Sequence, residues 1–175
     1  MIIGAGPAGI FTALELTERC PDKQVPMVDT GREIAKRVCP ARTTGKCVHC
    51  TSRAIVHGWA GAGAFSDGKL SLSEEVGGHI ADYMSHEEAQ ALIRRADETY
   101  LRFGAPKDVH GLDDRKVDEI AYEASRHNIR LVPCPVRHLG TEHAGEVLRA
   151  MHDYLVQKTN TTFAELTTAQ RILVR

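Results

Sequence analysis

An α/β fold is what this sequence predicts, and three observations predict it. An apolar stub, Met1-Ile2-Ile3, runs straight into a glycine-rich turn. A helical pattern opens at that turn. A second apolar run, Val25 to Asp29, follows the helix. Strand, tight turn, helix and strand in that order make a βαβ unit.

Each element has its own reason. The first strand is shorter than the usual ~5–6 residues, so it reads as clipped at its start. The helix is expected from Pro7 or Ala8, because proline lacks the N–H that would go unpaired at a first helical position. Ile10, Ala13, Leu14 and Thr17 share one face, and Pro21-Asp22 ends the helix. Residues 38–70 are rich in Gly, Cys, Ser and Thr without helical or strand period, which predicts a long ordered loop; loops of that length are usually functional or disordered. Three amphipathic helices then follow the i, i+3, i+4, i+7 template. Their apolar stripes are Ala89-Leu92-Ile93-Ala96-Tyr100, Val117-Ile120-Ala121-Ala124 and Ala144-Val147-Leu148-Met151-Leu155. Ile129 to Val132 predicts a short strand stopped by Pro133 and Pro135. The tail from Thr161 to Arg175 predicts strand at Phe163 and again at Ile172, Leu173 and Val174. The expected organisation is 1–70 as the first part of a nucleotide-binding domain, 71–128 as an inserted helical segment, and 129–175 as an incomplete return to the first domain.

Composition excludes several classes. Apolar residues make up 42% and charged residues 26% of 175, ordinary values for a globular protein. Aromatics are only 5%, so aliphatic side chains must fill the core. Net charge is −1, which removes the basic excess that nucleic acid or an anionic membrane surface would attract. No run approaches the ~20 apolar residues of a membrane helix. The start lacks a basic leader and contains Glu15, unlike a signal peptide. Five cysteines, an odd number, read as reduced thiols or ligands rather than a disulfide framework. The expected location is cytoplasmic.

Gly4-Ala5-Gly6-Pro7-Ala8-Gly9 matches G-x-G-x-x-G. The first glycine permits the tight turn, the second lets a pyrophosphate approach bare backbone, and the third lets helix pack on strand. The helix start offers free N–H groups and partial positive charge to phosphate. Asp29 closes the second strand twenty residues after Gly9, where a carboxylate accepts from a ribose hydroxyl. Thr30 and Arg32 follow it at the same strand end. The bland alternative is an ordinary glycine turn with Asp29 as a solvated strand end. A carboxylate at Asp29 disfavours a 2′-phosphate, despite nearby Arg32. The motif does not separate FAD from NAD.

Gly58-Trp59-Ala60-Gly61-Ala62-Gly63-Ala64-Phe65-Ser66-Asp67-Gly68-Lys69-Leu70 is the most specific run in the chain. Gly61 and Gly63 let backbone approach a ligand. Ser66 and Lys69 can offer a hydroxyl and a cation to phosphate or to a reduced flavin. Asp67 can hold a ribityl hydroxyl or cap the turn. The alternative is a structural loop wrapped around Trp59 and Phe65.

Four stretches together resemble a family of poorly characterised bacterial and archaeal FAD-dependent oxidoreductases (dehydrogenases). They are IIGAGPAGIFTALEL, VDTGREIAKRVCPARTTGKCVHC, GWAGAGAFSDGKLSLSEEVGG and PVRHLGTEHAGEVLRAMHDYL. The resemblance implies a Rossmann-type FAD/NAD(P)-binding domain interrupted by another domain. It implies that Gly4, Gly6, Gly9, Asp29, Gly61, Gly63, Ser66 and Asp67 lie near the cofactor, that NAD(P)H is a candidate electron donor, and that a small molecule is the substrate. Members usually carry Glu at the position of Asp29 and often Gly at that of Ala60. They also continue beyond this chain's end. The expectation is therefore an N-terminal portion, with a separate chain supplying the remainder as one option.

Cys39, Cys47 and Cys50 form C-x7-C-x2-C, with His49 and His57 nearby. The C-x2-C pair has metal-ligand spacing, but a closed zinc site needs four ligands. The family carries a further cysteine where this chain has Arg53, which argues against an iron–sulfur or zinc site, so no metal ligand is assigned. Arg137 and His138 are candidates to face flavin or substrate, or else belong to a solvated loop. No catalytic residue is assigned. The leading reading is an FAD-dependent oxidoreductase. The alternatives are an inactive fragment or split-enzyme subunit that binds FAD, and a small metal or redox protein centred on Cys39, Cys47 and Cys50.

Overall fold

The computed structural model describes residues 1–173. Strands β1 (Ile2–Ile3) and β2 (Val25–Val28) flank helix α1 (Pro7–Arg19), and a third strand, Thr161–Ala164, comes late in the chain. These three form one parallel sheet with β2 in the middle. Ile2 pairs with Met27 and Ile3 with Val28; Val25 to Val28 pair with Thr161 to Ala164. The architecture is α/β, with a small three-stranded parallel sheet and helices.

Proline does open α1, and Ile10, Ala13, Leu14 and Thr17 are its buried residues. The helix lies so close to β1 that a Cβ at Gly9 would sit 2.0 Å from the Gly4 carbonyl oxygen. No side chain fits there. Helix α2 (Ala41–Thr44) is a single turn inside the cysteine-rich loop. Strand β3 (Lys69–Ser71), helix α3 (His86–Arg102), helix α4 (Asp114–Ser125), strand β4 (Val136–His138) and helix α5 (Thr141–Lys158) precede the last strand, β5 (Thr161–Ala164).

The chain divides into two compact units, 1–66 together with 144 onward, and 67–143. The first unit holds the parallel sheet. Its core is Ala5, Ile10, Ala13, Met27, Trp59, Val147, Met151 and Leu155. Trp59 is fully buried, its indole N–H donates to the Leu148 carbonyl at 2.9 Å, and its ring meets His152 and Phe163 edge-on. The second unit pairs β3 and β4 antiparallel and carries α3 and α4. Ser85 and Glu88 close a reciprocal capping box at the start of α3, satisfying donors that a helix start leaves free.

Four expectations need correction. Residues 129–132 form no strand; Ile129 and Val132 are exposed, and the strand lies beyond the prolines at 136–138. A β-prone run becomes strand only with a partner, and β3 and His110 offer theirs to Val136 and its neighbours. The 38–70 segment contains α2, a 3-10 turn at Gly61–Phe65 and the start of β3 rather than loop alone. The tail is strand only at Thr161–Ala164, while Ile172 and Leu173 are exposed and irregular; Val174 lies outside the described residues. The α4 stripe forms a helix but none of it is buried, and Ile120 is exposed.

Candidate functional site

The site grows from the turn between β1 and α1. Gly4 has φ +98°, and its N–H donates to the Val28 carbonyl at 2.8 Å, tying the turn to the end of β2. Gly6 is the N-cap of α1, and no side chain caps this helix start. No acidic residue stands in the first turn. A Cβ at Gly6 would meet nothing within 4 Å, so the space above it is open. Pro7 and Ala8, the first helical residues, are exposed. Open space, uncapped N–H groups and the positive end of a helix dipole together suit a diphosphate.

Asp29 stands beside this turn and is half-buried. One carboxylate oxygen accepts from the Ala5 N–H at 2.8 Å; the other accepts from Gly31 at 2.8 Å and Gly58 at 2.7 Å. The expected ribose acceptor therefore spends three of a carboxylate's roughly four acceptor positions on backbone. Its position at the end of β2 follows the sequence reading, and its bonds add a role that reading missed. Asp29 ties the glycine turn, the strand end and the Gly58 loop together. Thr30 lies half-buried next to it. Arg32 has an exposed side chain, and its backbone bridges to Gly58.

The Gly58–Phe65 loop packs directly on the turn. The Ala60 N–H donates to the Ala5 carbonyl at 2.7 Å, and a Cβ at Gly61 would lie 3.5 Å from the Gly6 Cα. Gly58 allows this approach, because a Cβ there would meet the Arg32 carbonyl oxygen at 2.3 Å. Ala60 adopts φ +66°, a strained value for a residue with a side chain. Gly63 faces open space. The Ser66 hydroxyl donates to the Gly63 carbonyl at 2.9 Å. Gly4, Gly6, Pro7, Ala8, Gly9, Asp29, Thr30, Arg32, Gly61, Gly63 and Ser66 all belong to the first unit.

Asp67 and Lys69 belong to the second unit, where they pair at 2.8 Å on an exposed surface. The Lys69 ammonium holds the Asp67 carboxyl below its ordinary value. Arg137 does not face outward. It is buried, bidentate to Asp97 at 2.6 and 2.7 Å, and donates to the Pro106 carbonyl. His138 is exposed on β4, opposite Lys69.

Sequence reasoning missed Arg37. Its guanidinium is buried in the first unit, donating from Nε to Ala54 and from Nη1 to the Trp59 and Gly61 carbonyls. It lies 4.8 Å from the Phe65 ring centroid. Burial lowers its pKa from the usual arginine value, with the Asp29 carboxylate pulling the other way. No spacing or motif separates Arg37 from Arg32 or Lys36, so its role comes only from the folded loop around it. The cysteines are all free, and among the described residues no group of three His, Cys, Asp or Glu is placed to share a metal ion. Nor is any helix of the described residues long and apolar enough to cross a membrane.

No protein-family model matches the chain, and no curated protein matches it.

Proposed function

We propose that the chain binds the ADP half of FAD at the Gly4–Gly9 turn and serves an FAD-dependent oxidoreductase of the dehydrogenase type. One observation carries this reading: the start of α1 is uncapped, faces open space at Gly6, and sits at the end of a parallel sheet. Diphosphates bind at such places because backbone N–H groups and the helix dipole both favour negative charge. Asp29 retains acceptor capacity for a ribose hydroxyl while it holds the turn in shape. When bound, the flavin supplies the electron transfer; the protein supplies binding and orientation.

The same turn suits the ADP half of NAD, so binding is to be measured with both. The purified chain should quench FAD fluorescence saturably, and more strongly than it responds to NAD. Gly6→Val should abolish FAD retention while leaving thermal unfolding nearly unchanged, since its side chain enters open space. Equal FAD binding by Gly6→Val, with the fold intact by circular dichroism, would overturn the assignment. Gly9→Ala is the contrasting control. It should lose about 1–3 kcal/mol of stability from overpacking, read as a lower midpoint in urea.

A further inference from the structure

Strand β3 is an edge strand with open hydrogen-bonding groups. The Leu139 N–H donates to the Gly68 carbonyl and the Leu72 N–H to the Pro135 carbonyl, both at 2.8 Å, and Leu70 pairs with Arg137 between them. In an antiparallel ladder the intervening residues turn their N–H and C=O groups the other way. Those residues are Lys69 and Ser71, and among the described residues no group bonds to their outward backbone. The far edge of β4 is different, because His110 exchanges both backbone bonds with Val136 there.

A groove of about 200 Å3 runs beside the open edge, walled by β3 and α3 within the second unit. Ile93, Ala96, Asp97 and Tyr100 line it at i, i+3, i+4 and i+7, one stripe of α3. Leu70 and Leu72 complete its apolar lining. Asp97 adds no open charge, because Arg137 forks onto both of its oxygens. An apolar cavity of about 150 Å3 takes a benzene ring, so this groove has room for one large apolar side chain. An unpaired strand edge beside such a groove suits an extended peptide. Backbone bonds give the affinity, and alternate side chains reach the groove.

The chain carries a segment of that kind. The Thr167 N–H bonds to the Asp29 carbonyl, but beyond it residues 168–173 are exposed, and among the described residues their backbone is unbonded. The segment includes Ile172 and Leu173, which are 77% and 73% exposed. Isoleucine there favours strand, yet the segment has no strand to pair with. Within one copy, the open edge and the open segment do not meet.

We propose that copies of this chain associate by strand addition. Segment 168–173 of one copy pairs along the β3 edge of another, through the outward N–H and C=O groups of Lys69 and Ser71. Ile172 and Leu173 point to opposite faces of a strand, and one of them fills the groove. The contact uses no residue of the glycine turn and is independent of flavin binding.

The test is the mass of the whole chain by sedimentation equilibrium as its concentration is raised. The mass should climb above that of one chain. Ile172→Asp combined with Leu173→Asp, both at exposed positions, should hold it at one chain with circular dichroism unchanged. Ser71→Pro should do the same, because it removes an outward N–H that β4 does not use. When about nine-tenths of the chains are paired, amide exchange at Lys69 and Ser71 should slow about tenfold, since it then proceeds from the unpaired tenth. Three results would overturn the proposal: one-chain mass at every concentration, association that survives the Ile172 and Leu173 double variant, or unslowed exchange at Lys69 and Ser71 in the associated protein. The last would place the contact on another face. If Ser71→Pro does not fold, the double variant and the exchange rates decide.

Discussion

Arg37 in the first unit and Arg137 in the second are both buried, yet they are held in opposite ways. Arg137 forks onto Asp97 and adds the Pro106 carbonyl, so its charge is neutralised in place. Among the described residues Arg37 has only carbonyl partners, those of Ala54, Trp59 and Gly61, and one nitrogen has none. The pKa directions follow: Asp97 raises that of Arg137, and burial lowers that of Arg37. One unit uses its arginine as a closed structural tie. The other keeps a cation with acceptor demand still open, next to the loop that packs on the glycine turn.

The comparison breaks most visibly at Arg137. Arg137→Met should cost about 3 kcal/mol, because it strands Asp97 without its partner. That is the lower end for a broken buried pair, since the Asp97 side chain keeps 16% of its exposure. The loss is read as a shift in the urea midpoint. Combining it with Asp97→Leu should recover part of that loss, as two apolar groups replace a desolvated pair; a double variant less stable than Arg137→Met would contradict the closed-tie reading.

Arg37→Met is expected to cost less, about 1–2 kcal/mol, because the carbonyls it leaves are offset by removal of a cation that is itself only partly satisfied. It should also loosen the Gly58–Phe65 loop, measured as faster amide exchange at Ala60 and Gly61. A cost as large as that of Arg137→Met would erase the distinction.

The smallest effect concerns Glu165. The Glu33 N–H and the Lys36 ammonium hold its carboxyl below the ordinary value of 4.5. A lowered folded-state pKa contributes stability above the unfolded value, and that contribution is lost as pH falls through the folded value. Glu165→Gln should therefore be less stable than the parent near neutral pH, by less than about 1 kcal/mol, because its partner Lys36 is exposed and the pair is screened by solvent. The two stabilities should converge once the pH has fallen below the lowered folded-state value of this carboxyl. A gap that persists in acid would mean the substitution acts through something other than this charge.

Much of the first unit is legible in the chain. Pro7, the Ile10-Ala13-Leu14-Thr17 face and the Val25 run announce helix and strand because their patterns are local and periodic. The three glycines of the turn likewise carry their own geometric reasons. Strand β4 was not legible, because Ile129–Val132 looks more β-prone than Val136–His138. Pairing rather than propensity decides between such runs, and the partner Lys69–Ser71 sits inside a stretch with no strand period. The roles of Arg37 and Asp29 were hidden for a related reason: they are defined by backbone groups far away in sequence.

By itself, then, the order of residues determined an α/β chain with a glycine turn heading its first helix, since local patterns need only neighbours to be read. Tertiary structure alone decided that Asp29 clamps that turn to the Gly58 loop, that Arg137 is sealed by Asp97, and that Arg37 is buried with a donor to spare. Hydrogen bonds and burial depend on which distant segments meet, and no spacing along the chain encodes that meeting directly.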